Sequence, residues 1–132
     1  MKHASFAAIC LAAALFAQPA AAQDPVRTTA IALPAPGESK IVTGIIQGRA
    51  SADYVFTGTA GVPLRIDLKS SNTSAYFNLT REGSDEALFA GALGGNAFQG
   101  TLPESGTYVV KVYLMRNAAR RNAKASYTLR LR

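Results

Sequence analysis

Two segments near the end of the chain, joined by a basic connection, leave little choice of fold. In "GTYVVKVYLM", Gly106 to Met115, the residues Tyr108, Val110, Val112 and Leu114 share one face of an extended strand. Val109, Lys111, Tyr113 and Met115 share the other. In "SYTLRLR", Tyr127, Leu129 and Leu131 alternate with Thr128, Arg130 and Arg132. Apolar residues recurring at every second position, with polar residues between, mark a strand buried on one side and wet on the other.

The same pattern recurs upstream in shorter pieces. "SKIVTGIIQG", "DYVFTGTA", "VPLRIDLKS", "SAYFNLT" and "NAFQGTL" each read as a strand, separated by Gly, Ser, Asn and Pro. In the third, Leu64, Ile66 and Leu68 face one way while Arg65, Asp67 and Lys69 face the other. "LPAPGES", Leu33 to Ser39, is a turn or linker by its prolines and glycine. Some seven or eight strands at roughly ten-residue spacing predict an all-β fold, an antiparallel β-sandwich or flattened barrel. "DEALFAGA", Asp85 to Ala92, has the composition for a helical turn, which Gly91, Gly94 and Gly95 cut short.

The first residues do not belong to this pattern. Lys2 and His3 precede an apolar run from Phe6 to Ala17, and Ala20-Ala21-Ala22 fits a small-residue cleavage site. The run is too short to span a membrane. Cys10 lies inside it after Ala-Ala-Ile, not in the setting of a lipid-anchored cysteine. The expected organisation is therefore a signal peptide over 1–22 and one β-sandwich domain over 23–132. The 132 residues suffice for one domain and not two.

Cleavage at that site changes the chemical inventory. The chain has one Cys and one His, Cys10 and His3, and both leave with the signal peptide. The mature domain then has no thiol, disulfide or imidazole. That excludes a cysteine nucleophile, a Ser-His-Asp triad and a His/Cys zinc site. With Lys2 gone, the basic residues exceed the 8 acidic ones by about five. A modest positive charge suits an acidic protein, an anionic envelope or nucleic acid, without choosing among them.

The carboxylates form no recognisable catalytic arrangement. Asp67 alternates with apolar neighbours and points to water. Asp85 and Glu86 follow Gly83-Ser84 in a turn. Glycoside hydrolysis needs two acids held across a cleft, and the sequence places none so. Glu82, Asp85 and Glu86 do not match an EF-hand loop, and a solvated turn accounts for them better than calcium. No enzyme, metal or cofactor is expected.

Two stretches carry more. "SGTY", Ser105 to Tyr108, has a structural reading: Ser-Gly turns the chain into a strand, and Tyr108 is its first inward residue. Its functional reading is a turn that presents side chains from the rigid end of a sandwich. The second stretch, "RNAARRNAK", bridges the last two strands with about nine residues, where a simple reversal needs about two to five. It contains no Gly or Pro and favours helix. One turn of helix sets Arg116 and Arg120 on the same side, where they repel unless an anion lies between them. The alternative is a solvated loop, with an arginine paired to Glu104 or Asp85. Nucleic acid fits poorly, because the loop has no aromatic to stack on bases and no broad basic face.

These residues resemble the periplasmic inhibitors of g-type lysozyme. Ser105, Gly106 and Tyr108 match a Ser-Gly-x-Tyr turn. Arg116, Asn117, Ala119, Arg120, Asn122 and Tyr127 match an Arg-Asn-x-Ala-Arg-x-Asn loop and its Tyr-bearing strand. "IIQGRASADYVFTGTAGVPLRIDL" is also similar, departing at Arg49, where the family pattern suggests an aromatic. The resemblance implies a periplasmic β-sandwich that inserts loop side chains into an acidic lysozyme cleft. Arg116 and Arg120 would be the inserted cations, with Asn117 and Arg121 beside them. Ser105 and Tyr108 would order the adjacent turn or touch the enzyme. The sandwich also resembles the pre-peptidase C-terminal domain, which leaves open an accessory module that contacts an envelope protein or glycan.

Overall fold

The computed structural model describes residues 25–132, so the expected signal peptide over 1–22 lies outside the described residues. The elements in chain order are β1 (Val26–Ala30), β2 (Lys40–Gln47), β3 (Ser51–Gly58), β4 (Pro63–Ser70), β5 (Ala75–Arg81), β6 (Ala87–Ala90), α1 (Gly91–Gly94), β7 (Ala97–Thr101), β8 (Gly106–Leu114), α2 (Arg116–Arg120) and β9 (Lys124–Leu131). They form two sheets, one in the order β1-β3-β8-β5-β6 and one in the order β2-β9-β4-β7. Among the described residues no helix is long and apolar enough to cross a membrane.

Alternation fixes which face of each strand turns inward. Tyr108, Val110, Val112 and Leu114 of β8 are buried, as are Leu64, Ile66 and Leu68 of β4, and Tyr127, Leu129 and Leu131 of β9. Tyr54, Phe56, Phe77 and Leu79 complete the inner face of the five-stranded sheet. The rings of Phe56 and Tyr108 stack with centroids 5.7 Å apart. Fully burying a side chain of this size contributes about 1.5–3 kcal/mol, and the contributions close the sandwich without a disulfide.

All seven strands read from the sequence are present. Two more are added, and both have physical reasons for being inconspicuous. β1 is exposed at all five positions, so it has no apolar face to betray it. It is held by backbone pairing to β3, and that pair is parallel, in an otherwise antiparallel structure. β6 occupies the first part of the expected helical turn. It pairs with β5 through Leu79 and Phe89, and the helical turn follows it at Gly91–Gly94.

Asp67 lies on the outer face of β4, 3.7 Å from both Arg65 and Arg132. Inside one end of the sandwich, the hydroxyls of Tyr54 and Tyr127 share a 2.6 Å hydrogen bond. Arg27 Nη2 donates to Tyr127 at 3.4 Å. Burial pushes the Tyr127 phenol well above its ordinary range and the bond to Tyr54 adds to this, so it stays neutral despite the opposing pull of Arg27.

Candidate functional site

The connection between β8 and β9 folds as a short helix with a defined stop. The Asn122 N–H donates to the Ala119 carbonyl at 3.0 Å, and the Ala123 N–H donates to the Ala118 carbonyl at 3.0 Å. Asn122 adopts φ 55°. This is a Schellman arrangement, in which a left-handed residue past the helix end lets two amides reach back to the last carbonyls. Asparagine is one of the few residues with a side chain that tolerates the conformation. The Ala118 side chain is buried beneath the turn. Arg116, Asn117, Arg120 and Arg121 remain exposed above it.

Three neighbouring contacts hold this loop in place. The Met115 N–H donates to the Ser74 carbonyl at 2.9 Å, and Asn72 Nδ2 donates to the Lys124 carbonyl at 3.4 Å. The Gly48 N–H, in the turn between β2 and β3, donates to the Ala123 carbonyl at 2.8 Å. Gly48 has φ 60°, and a Cβ there would come within 2.6 Å of Asn122 Oδ1. Glycine takes this left-handed conformation without steric cost and leaves room for the Asn122 side chain. The residue after it is Arg49.

That contact assembles the site. Arg49, Arg116 and Arg120 line one open depression of about 440 Å³, floored by Leu114 and Ala119. Arg116 and Arg120 occupy the i and i+4 positions of α2, one above the other. Among the described residues none of the three arginines forms an ion pair. Glu104, considered from the sequence as a partner, is held by Arg81. Three cations on one preformed surface make a receptor for a carboxylate or another oxyanion. Arg49 was not among the residues singled out from the sequence as partner-binding. Its place beside the loop follows from the β2–β9 pairing, which runs to Gln47 opposite Lys124 and ends in the Gly48–Ala123 contact, and no local pattern reveals that pairing.

Ser105 and Tyr108 are elsewhere. β8 separates the Ser-Gly-x-Tyr turn from the arginine loop, and its nine residues span about 27 Å. The two halves of the motif therefore occupy opposite ends of the sandwich. Tyr108 is fully buried, and its hydroxyl donates to the Glu104 carbonyl at 2.5 Å. Ser105 Oγ accepts the Ala60 N–H at 2.9 Å. Gly106, at φ 153°, has a conformation that resists a side chain. These groups bind their own turn together, and Tyr108 presents no surface for a partner to touch.

Fold and site together define a small two-sheet β protein that carries a rigid, unpaired arginine cluster at one end. No family model matches the chain, and no curated protein matches it. Solved structures do. The chain is similar to PliG of Aeromonas hydrophila, a periplasmic lysozyme inhibitor of g-type lysozyme. The identity is 26% and the TM-score 0.73, over 83% of this chain and 97% of that one. PliG of Salmonella Typhimurium is also similar, at 26% identity and TM-score 0.61, over 80% and 96% of the two chains. The pre-peptidase C-terminal domain of a Bacillus anthracis collagenase shares the fold at 17% identity and TM-score 0.62, over 84% and 100%. Both resemblances read from the sequence thus reappear in three dimensions.

Proposed function

We propose that this protein is a periplasmic inhibitor of g-type lysozyme that presents its arginine loop to the acidic substrate cleft of the enzyme. The observation that carries the reading is the convergence of Arg49, Arg116 and Arg120 on one depression without a carboxylate of their own. A guanidinium forms paired hydrogen bonds to a carboxylate, and a carboxylate so engaged no longer serves as acid or base toward glycan. The likeness to two inhibitors of g-type lysozyme supports the choice of partner. The loop is preorganised by its backbone contacts, so little ordering cost opposes binding. Asn117 and Arg121 flank the contact, and Ser105 and Tyr108 serve the fold at the far end. The protein reaches the periplasm by cleavage after Ala22 and performs no catalysis itself.

The test is a cell-wall clearing assay with c-, i- and g-type lysozymes, each with and without the processed protein. Stoichiometric slowing of the g-type enzyme alone is expected. Absence of any effect on it, with the protein folded, would leave the accessory-module reading suggested by the pre-peptidase fold. Turnover of wall substrate by the purified protein would refute the non-catalytic assignment. Intact-mass measurement of the exported protein should give a chain that begins at Gln23.

A further inference from the structure

The outer faces of the two sheets differ in charge. On the five-stranded sheet Asp53 and Lys111 are cross-strand partners and lie 3.6 Å apart, so the pair is internally neutral. On the four-stranded sheet the outward residues of β4 and β9 are Arg65, Asp67, Lys69, Lys124, Ser126, Thr128 and Arg130, and Arg132 follows just past the end of β9. A single carboxylate, Asp67, serves this face, and it is already shared by Arg65 and Arg132 at 3.7 Å each. Arg65 and Arg132 also exchange both backbone hydrogen bonds, at 2.7 and 2.9 Å, which sets two like charges directly opposite. That placement is unfavourable in an isolated sheet. Arg130 donates from Nε and Nη2 to the Ser39 hydroxyl at 3.3 Å, so its charge is held in place without being neutralised. Among the described residues Lys69 and Lys124 have no ion-pair partner.

Apolar side chains adjoin these cations. On edge strand β2, Ile41 lies opposite Arg130 and Ile45 opposite Ser126, with Thr43 opposite Thr128 between them. Ile41 is 57% exposed and Ile45 54% exposed. The face therefore carries two isoleucines along one edge and cations across the middle. A soluble polyanion would use the charges and leave the isoleucines in water. A lipid surface uses both, because headgroup phosphates meet the guanidinium and ammonium groups while the aliphatic tips enter the interface.

We propose that the outer face of the four-stranded sheet docks on anionic phospholipid, with Arg65, Lys69 and Arg130 on headgroup phosphates and Ile41 and Ile45 in the interface. The strands then lie along the membrane, and the arginine loop, at the end of the sandwich, stays free to meet its partner. The protein is thereby concentrated at a membrane surface.

The test uses processed protein recovered from the periplasm and sedimentation with phosphatidylglycerol or phosphatidylcholine vesicles. Binding to the first, weakened by salt, and none to the second is expected. Neutralising two cations as K69Q with R130Q should lower partitioning about 25-fold, at about five-fold per cation. I41S with I45S should lower it about ten-fold. K111Q, on the neutral face, should have no effect. Equal binding to both vesicles overturns the proposal, as does unchanged binding in both double variants. Charge-dependent binding indifferent to the isoleucine changes points instead to a soluble polyanion and also overturns it. Loss of vesicle binding in R116A with R120A would move the contact to the loop and end the assignment to the sheet. Inhibition of g-type lysozyme, measured on the same variants, should be unchanged by the sheet substitutions, so each reading can fail without the other.

Discussion

The two ends of β8 use polar groups in opposite ways. At the Ser105 end each conspicuous group is satisfied within the chain: Tyr108 on Glu104, Ser105 on Ala60, Arg81 on Glu104. At the Arg116 end the backbone is satisfied equally well, but the charges are not. The same strand thus joins a turn that closes on itself to a loop that offers unpaired cations. A buried polar group contributes to folding when its partner is internal. An exposed cation held rigidly without a partner adds nothing to folding and is free for recognition. The comparison separates residues that shape the domain from residues left free to meet a partner.

The largest expected effect falls at the closed end. Tyr108 is fully buried against Phe56, and Y108A should destabilise the domain by about 3–5 kcal/mol. Chemical denaturation should show this as a lowered midpoint. Whatever fraction remains folded should inhibit lysozyme normally, because the arginine loop lies beyond the other end of the strand. A folded Y108A protein with impaired inhibition would break the separation.

At the open end the signs reverse. R116A or R120A should weaken inhibition roughly 30-fold or more, since losing one partner of a desolvated charge pair costs about 2–5 kcal/mol. Stability should move by no more than about 0.5 kcal/mol, as for other exposed positions. R65A and R130A, outward on strands, should leave inhibition unchanged. Added salt should slow association more than it speeds dissociation. A folded double variant, R116A with R120A, that inhibits as well as the parent would reduce the loop to a solvated connector.

Much of this contrast was legible from the residues. Alternation located seven strands and, in β4, β8 and β9, the two faces of each, because burial on one side imposes a period of two on any sequence that satisfies it. The length and composition of the basic loop marked it as more than a reversal. β1 escaped notice because its place depends on parallel pairing with β3 and not on an apolar face. β6 is only four residues long, and "ALFA" suits a helix as well as a strand. The opposition of the two motif halves followed from the strand between them, yet their adjacency in sequence suggested a single site. Arg49 was hidden most fully, because two turns far apart in the chain meet only once β2 and β9 have paired, at the end of the ladder where Gly48 reaches Ala123.

That meeting supplies the next prediction in order of size. G48A places a methyl against Asn122 and forces a residue with φ 60° to carry a side chain. The cost should be about 1–2 kcal/mol from backbone strain. The Asn122 side chain must turn aside to admit the methyl. Relief of the strain in the Gly48 turn should draw the adjacent Arg49 away from the cluster, so inhibition should weaken even though no contacting side chain was altered. Thermal melts and the clearing assay, run together, test both effects. A variant that loses stability but keeps full inhibition would show that Arg49 is incidental to the contact.

The smallest expected effect is the sharpest test of the comparison. Ser105 is exposed, and its hydroxyl does one visible thing: it accepts the Ala60 amide. S105A should therefore cost about 0.5–1.5 kcal/mol, toward the lower figure because water can replace the lost acceptor. Inhibition should not change, since about 27 Å of strand separates this turn from the arginines. The alternative is a partner that embraces the sandwich lengthwise and touches both ends. In that case S105A would weaken inhibition several-fold beside the same small loss of stability, and a double-mutant cycle of S105A with R120A would show the losses adding, as they do for separate contacts with one partner. Unchanged inhibition in S105A, beside a large loss in R120A, assigns recognition to the open end and leaves the Ser-Gly-x-Tyr turn to the fold.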